Sequence, residues 1–351
     1  RRLAGQGFNS TSLDSPDAVV YWLGALQAQD YAGVKWSVGL RLAGSTIADV
    51  ESAIAARTIV RTWALRGTLH FVAAEDIHWL LGLIAPRIIA KNARRYRQLA
   101  LDESTLARSS ELLVRALDGG RELDRQALRT FLEAEGLSTE GQRIFYMLQR
   151  ASLDALICQG AAPKNKPTFL TLAPSSKRDR SMDREEALAE LAVRYFTSHG
   201  PATVDDFIWW SGLLTADAKA GLEAARPRLV RETTAGKTFW LAETVPAAAG
   251  SAPDIYLLPG FDEYFVGYRD RSTVIDEQYV EAWSKGKAMF SPSIVRRGQV
   301  IGLWKRTVKK DRIEITADLF SDLSQDDNDA LQKGAQAYGR FLGKRAILLL
   351  S

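Results

Sequence analysis

The stretch Leu26-Gln27-Ala28-Gln29-Asp30 closes a well-marked helix and sets two uncharged amides two residues apart. Ser15-Pro16-Asp17 starts that helix: Ser15 can cap it, Pro16 suits the first helical position and Asp17 suits the positive helix end. Val19, Val20, Leu23 and Leu26 recur at helical spacing and predict a buried stripe. The apolar pattern stops at Gln27. In a helix, residues i and i+2 point about 200° apart, so Gln27 and Gln29 would not meet one ligand atom; in an extended or turn segment they share a side. A shared site therefore requires the helix to end at or just before Gln27. Glutamines at a helix end also have an ordinary role, solvated or capping carbonyls, and at this level both readings stand.

Working outward, Thr46 with Asp49 reads as a capping box that starts a helix through Ile54 to about Arg57. Arg61 to Val72, RTWALRGTLHFV, carries Gly67-Thr68 between two short alternating segments and reads as a hairpin. Ala74 to about Leu99 is helical, with Pro86 expected to break or kink it. Its second half holds Arg87, Lys91, Arg94, Arg95 and Arg97 with no acid; positions 87, 91, 94 and 95 fall on one face, either a solvated face or a stripe for phosphate contact. Within the hairpin, Gly67 permits a sharp turn or a close approach to phosphate, Arg66 can grip phosphate with paired donors, and His70 can donate to an oxygen or neighbouring side chain. Core packing for His70 and an ion pair for Arg66 are the plainer readings.

Helices are then expected over Glu103–Leu117, Leu123–Glu135 and Thr139 to about Cys158, followed by a strand at Pro167–Leu172. The outline returns as helices at Arg184–Ser198, Thr203–Trp210 (capped by Thr203 with Asp206) and Thr215–Ala225, then strand, turn and strand over Leu229–Leu241. Val245–Pro253 (VPAAAGSAP) reads as a linker. Beyond it come strands at Asp254–Pro259 and within Val295–Leu319, a helix at Ala330–Leu342 and a last strand at Ala346–Leu350. Arg296, Arg297, Lys305, Arg306, Lys309, Lys310 and Arg312 crowd one span opposed locally only by Asp311, the pattern of an edge strand kept soluble or of a phosphate-contacting surface. The predicted fold class is α+β and multi-domain, with about three tandem winged helix-turn-helix units followed by a β-rich C-terminal domain. The expected divisions are 1–100 (with the basic helix), 101–180, 181–245 and 254–351.

The 351 residues allow for several compact units, and a hydrophobic content of 46 % is ordinary for a globular chain. No apolar run approaches the length that spans a bilayer, and no signal peptide is read. The chain begins at Arg1 without Met, so a short native N-terminus is expected to precede it. One cysteine, Cys158, excludes an internal disulfide framework and fits a reducing, cytoplasmic location. With three histidines (His70, His78, His199) and one cysteine, neither a structural zinc site nor a cofactor is expected. Net charge is +4, too small to establish nucleic-acid binding. Gly236-Lys237-Thr238 resembles the end of a phosphate loop, but Arg231 stands where the first glycine belongs. Neither Gly-x-Gly-x-x-Gly nor Gly-x-Ser-x-Gly occurs. Asp205-Asp206 reads as a helix start. Asp262, Glu263 and Tyr264, within Gly260–Arg271 (GFDEYFVGYRDR), form a possible additional site in a stretch that is neither a regular strand nor an amphipathic helix.

LGALQAQD, RTWALRGTLHFV, GPATVDDFIWWSG and LLPGFDEYFVGYRDR stand in the order and approximate spacing of the AlkZ-like winged-helix DNA-binding proteins, and the resemblance spans nearly the whole chain. It implies tandem winged helices around a concave basic surface. It also implies a monofunctional DNA glycosylase acting on N7-alkylated purines, bulky adducts and interstrand crosslinks in duplex DNA, with no metal, cofactor or membrane as partner. The family's catalytic element is a glutamine, an apolar residue, then glutamine or aspartate. Gln27-Ala28-Gln29 matches the glutamine form and resembles the branch linked to self-resistance against alkylating natural products. By that resemblance Gln27 and Gln29 are catalytic and hold or polarise the attacking water. Arg66, Gly67, His70, Arg87, Lys91, Arg94 and Arg95 are the expected DNA contacts. A non-catalytic winged-helix regulator is the alternative.

Overall fold

The computed structural model describes residues 1–8, 12–160, 166–172, 182–244, 255–285 and 288–350. After a short α1 (Arg2–Gly5), α2 spans Pro16–Leu23, with the Ser15 hydroxyl accepting from the Ala18 N–H at 3.2 Å. The helix stops at Gly24 in a left-handed turn (φ +76°), three residues before Gln27, so Leu26 leaves it and enters a strand. That strand, β1 (Leu26–Gln27), pairs with the second arm of the hairpin β2 (Ile59–Ala64) and β3 (Thr68–Ala73). Between them lie α3 (Tyr31–Gly39), capped by Asp30, and α4 (Ile47–Ala55), opened by the Thr46–Asp49 capping box. α5 runs unbroken from Ile77 to Gln98. Pro86 does not break it, because Leu83, Ile84, Ala85 and Ile88 around it are all packed in the core.

Next come α6 (Glu103–Ala116), β4 (Leu123–Asp124), α7 (Arg125–Ala134), α8 (Arg143–Leu153), β5 (Ile157–Gln159) and β6 (Thr168–Thr171). The helix expected to reach Cys158 ends at Leu153: Ala155 is left-handed (φ +57°) and Cys158 lies in β5, paired with Leu170. α9 (Arg184–His199), α10 (Val204–Ser211), α11 (Thr215–Ala225) and the hairpin β7 (Val230–Thr234) and β8 (Lys237–Leu241) follow, with the Thr203–Asp206 capping box in place. The C-terminal part contains β9 (Ile255–Leu258), α12 (Glu263–Val266), α13 (Val280–Lys285), β10 (Ser293–Arg296), β11 (Gln299–Val308), β12 (Arg312–Leu319), α14 (Gln325–Phe341) and β13 (Arg345–Leu350). The expected linker at 245–253 lies outside the described residues.

Two sheets organise the chain. One has the order β1-β3-β2-β5-β6-β4, its halves joined where Arg61 faces Gln159; the other is β13-β12-β11-β10-β9. A hydrophobic cluster then ties the N-terminal segment to the C-terminal sheet: Val19, Val20, Leu23, Leu26 and Ala28 share it with Ile255, Trp304, Ile313 and Ile315. The basic run of that sheet finds acids elsewhere, as in Arg296–Asp327 at 2.8 Å and Arg312–Glu314 at 3.0 Å. Among the described residues no helix is long and apolar enough to cross a membrane.

Candidate active site

β1 is the outer strand of its sheet. Alternation along an extended chain sends Leu26 and Ala28 to one side and Gln27 and Gln29 to the other. Leu26 and Ala28 are buried in the apolar cluster shared with the C-terminal sheet, which fixes the register and holds both amides on the opposite side. The chain between the glutamines is not helical, and Gln27 Nε2 donates to Gln29 Oε1 at 2.5 Å. Gln29 is exposed, whereas Gln27 is only 7 % exposed, so the pair is reached through Gln29.

Arg66 fixes the polarity of this chain of bonds. Its Nη2 donates to Gln27 Oε1 at 2.8 Å, and its Nη1 donates to the carbonyl of Trp210 at the end of α10. A guanidinium can only donate, so Gln27 must present its oxygen to Arg66 and its nitrogen to Gln29. Gln29 Oε1 then keeps one lone pair, and Gln29 Nε2 keeps its N–H groups. The tip of the β2–β3 hairpin makes this possible. Arg66 adopts a left-handed conformation (φ +56°) and Gly67 another (φ +80°), which turns the Arg66 side chain back toward β1. Both of its terminal nitrogens donate inside the protein. Gly67 packs on α5, where an added Cβ would sit 3.2 Å from Ile88.

His70 is not a surface donor. It is fully buried directly across from Gln27 and Thr62, because the register places all three side chains in one row of the sheet. Its Nδ1 donates to the Thr68 carbonyl at 2.9 Å, leaving Nε2 without a proton. Burial, helped by the Arg66 charge, pushes its pKa down to about 4, so the ring is neutral. On the neighbouring helix, Arg87, Lys91 and Arg94 are exposed, while Arg95 is half-buried and donates to Gln142 Oε1 at 2.7 Å.

The Asp262–Glu263–Tyr264 stretch divides into two roles. Asp262 is buried against Arg41 in a two-point ion pair (2.8 and 3.0 Å), accepts from Ser37 and caps α12 through the Tyr264 N–H. Tyr264 donates to the Gly298 carbonyl at 2.8 Å. Both anchor α12 and stay away from the glutamines. Glu263 points at them: its Oε1 accepts the Gln27 backbone N–H at 2.9 Å and its Oε2 accepts the Trp210 indole N–H at 3.0 Å. His199 Nε2 lies 3.5 Å from the same Oε2, close because Gly267 has no side chain: a Cβ there would come within 2.7 Å of the ring. Burial works to raise the Glu263 carboxyl, and the His199 contact and the Gln27 N–H outweigh it, holding it below the ordinary glutamate range. His199 and Trp210 were not singled out by the sequence reading. Their signal lay in the quoted GPATVDDFIWWSG and the histidine beside it, but no spacing rule joins them to residue 27. Among the described residues no group of three or more His, Cys, Asp or Glu is arranged to hold a metal ion.

The family described as "DNA glycosylase AlkZ-like" matches residues 20–341. An "Interstrand DNA cross-link repair glycosylase" from Streptomyces sahachiroi is 27 % identical over 319 residues, covering 87 % of this chain and 85 % of that protein. The solved structure of the Streptomyces sahachiroi DNA glycosylase AlkZ is similar in fold, with a TM-score of 0.79 at 23 % identity, covering 100 % of this chain and 97 % of that one.

Proposed function

The chain belongs to the AlkZ-like DNA glycosylase family, and from that premise we propose that it is a monofunctional glycosylase excising N7-alkylated purines, bulky or crosslinked adducts among them, from duplex DNA. The observation that carries the reading is the hydrogen-bonded pair Gln27–Gln29 on one side of a non-helical strand, polarised from behind by Arg66. An N7-alkylated purine already bears positive charge. Its C1′–N9 bond breaks with the electron pair going to the base, which neutralises that charge, so no strong general acid is needed. The remaining work is to place a water and stabilise an oxocarbenium-like sugar. The free lone pair on Gln29 Oε1 accepts a hydrogen bond from that water, whose oxygen is left facing C1′, where the new bond forms; the proton the water then sheds goes to solvent. Oriented neutral amides suffice for this because their dipoles are already in place before reaction. A bulky adduct need not be turned fully into a tight pocket, unlike the target of the usual base-extruding enzyme.

The exposed residues Arg87, Lys91 and Arg94 on α5 suit phosphate contact, which supplies register without reading sequence. Arg66 and Gly67 act at the glutamines rather than on phosphate. We read the fold as three winged helix-turn-helix units, at 1–100, 101–180 and 181–245, followed by the C-terminal domain from 254. The test is a lesion-panel excision assay on duplex DNA. The purified protein should release N7-alkylguanine and leave an abasic site, and the Gln27→Ala/Gln29→Ala double variant should bind the duplex but release nothing. Undiminished release by the double variant would rule out the glutamine mechanism.

A further inference from the structure

Two neighbouring acids, Asp262 and Glu263, are equally buried but differently paired. Asp262 is neutralised at contact distance by Arg41. Among the described residues, no Lys or Arg nitrogen lies within ion-pair distance of Glu263; the titratable group beside it is His199, whose Nε2 stands 3.5 Å from Oε2 and whose ring is held by burial below its ordinary pKa, toward the neutral form. Burying a carboxylate without a cation at contact is costly, and a hydrophobic or amide side chain of similar size usually serves stability as well or better. The bonds Glu263 makes do not require its charge. The Gln27 N–H and the Trp210 indole are neutral donors, and a neutral carbonyl oxygen would satisfy either.

Location supplies a reason for the charge. Ala28 N–H bonds inward to Leu69 of β3, so the Gln27 N–H points to the outer edge of β1, where no further strand follows. Glu263 Oε1 occupies that edge in place of a strand. The carboxylate thus lies directly behind the backbone whose two side-chain amides face the reacting sugar. Two guanidinium groups reach this segment, Arg66 on Gln27 Oε1 and the α10 carbonyl and Arg61 on the Ala28 carbonyl at 2.7 Å, and neither is at ion-pair distance from Glu263.

We propose that Glu263 is a positioning residue that pins the edge of β1 behind Gln27 and keeps a buried negative charge there, biasing the Gln27–Gln29 site toward a cationic sugar. The proposal rests on the glycosylase reading above and explains why that site favours an oxocarbenium over a neutral sugar although both facing groups are neutral amides. In a water-poor setting such a charge acts over several ångströms with little screening.

The experiment compares two duplexes carrying abasic-site analogues at one position, one with a protonated pyrrolidine ring as a cationic sugar mimic, the other with neutral tetrahydrofuran. Wild-type protein should bind the cationic analogue about tenfold more tightly or better, and Glu263→Gln should bring the ratio near one while its affinity for undamaged duplex holds within about twofold. Glu263→Asp, which keeps the charge, should retain most of the preference. The Glu263→Asp variant decides the matter if Glu263→Gln does not fold. Absence of the preference in wild type, its persistence in folded Glu263→Gln, or its disappearance in folded Glu263→Asp would each overturn the proposal. Base release is measured separately. A wild-type protein that releases no alkylated base defeats the glycosylase reading. Release with an unchanged ratio in Glu263→Gln defeats only the role given to Glu263.

Discussion

Truncating the two glutamines should have equal effects on catalysis and unequal effects on stability. Gln27 is 7 % exposed and makes two side-chain bonds, one from the Arg66 guanidinium at 2.8 Å and one to Gln29 at 2.5 Å. A bond to a charged group contributes about 1.5–3 kcal/mol and a neutral one about 0.5–1.5 kcal/mol, so Gln27→Ala should cost roughly 2–4 kcal/mol, part of it from leaving the Arg66 donor unpaired. Gln29 is exposed and loses only the neutral bond, which water replaces, so Gln29→Ala should cost under about 1 kcal/mol. Each loss removes a preoriented dipole from the same reacting centre, and single-turnover base release should fall by on the order of 10²-fold in both. Denaturant unfolding at constant m-value measures the first quantity, and release of N7-methylguanine from a defined duplex the second. Equal destabilisation by the two variants would show that Gln27 is not held by Arg66 as described. Full activity in the stable Gln29→Ala protein would refute the shared-site chemistry outright.

Three further outcomes follow from the geometry. Arg66→Gly should be more stable than Arg66→Ala by about 1 kcal/mol, because both lose the same bonds but only glycine adopts φ +56° without strain; equal midpoints would count against the left-handed turn. The triple variant Arg87→Ala/Lys91→Ala/Arg94→Ala should reduce the slope of log affinity against log salt by roughly 0.9 per lost phosphate contact, whereas Arg66→Ala should leave the slope unchanged; fluorescence anisotropy across a salt series distinguishes them. His70 binds a proton at about pH 4 when folded and near its ordinary value of 6.5 when unfolded, so its contribution is complete above pH 6.5 and is lost as pH falls from there toward 4, by about 3 kcal/mol in all. His70→Gln should flatten that acid limb of the unfolding free energy, and an unchanged limb would exclude the neutral buried ring.

Local chemistry was legible wherever it is decided by neighbours in the chain. Ser15, Thr46 and Thr203 cap the helices expected of them and Gly67 turns the hairpin, whereas the helix before the glutamines ends at Gly24, and Leu26, expected on its apolar stripe, is already in β1. Where a segment's state depends on distant partners, the sequence reading went astray. Residues up to Cys158 continue a helical pattern, yet β5 forms because β2 and β6 offer it hydrogen bonds on both edges. Pro86 is a helix breaker by itself, but α5 continues through it with its buried face packed in the core. His70 and Arg66 carry donors that suit phosphate, and only the sheet register and the end of α10 decide that one is buried and the other turned inward. Residues 27, 66, 199, 210 and 263 come from five separate elements. Pairwise spacing along the chain cannot predict their meeting, because the apolar cluster joining Leu26 and Ala28 to the C-terminal sheet is what brings α12 under β1. The sequence determined by itself that two amides would share one side if the chain there were extended, since alternation is a property of the backbone; that it is extended was decided by the pairing of β1 with β3. That a buried carboxylate stands behind them was decided by tertiary packing alone, since only closure of the core across more than two hundred residues puts Glu263 at the free edge of that strand.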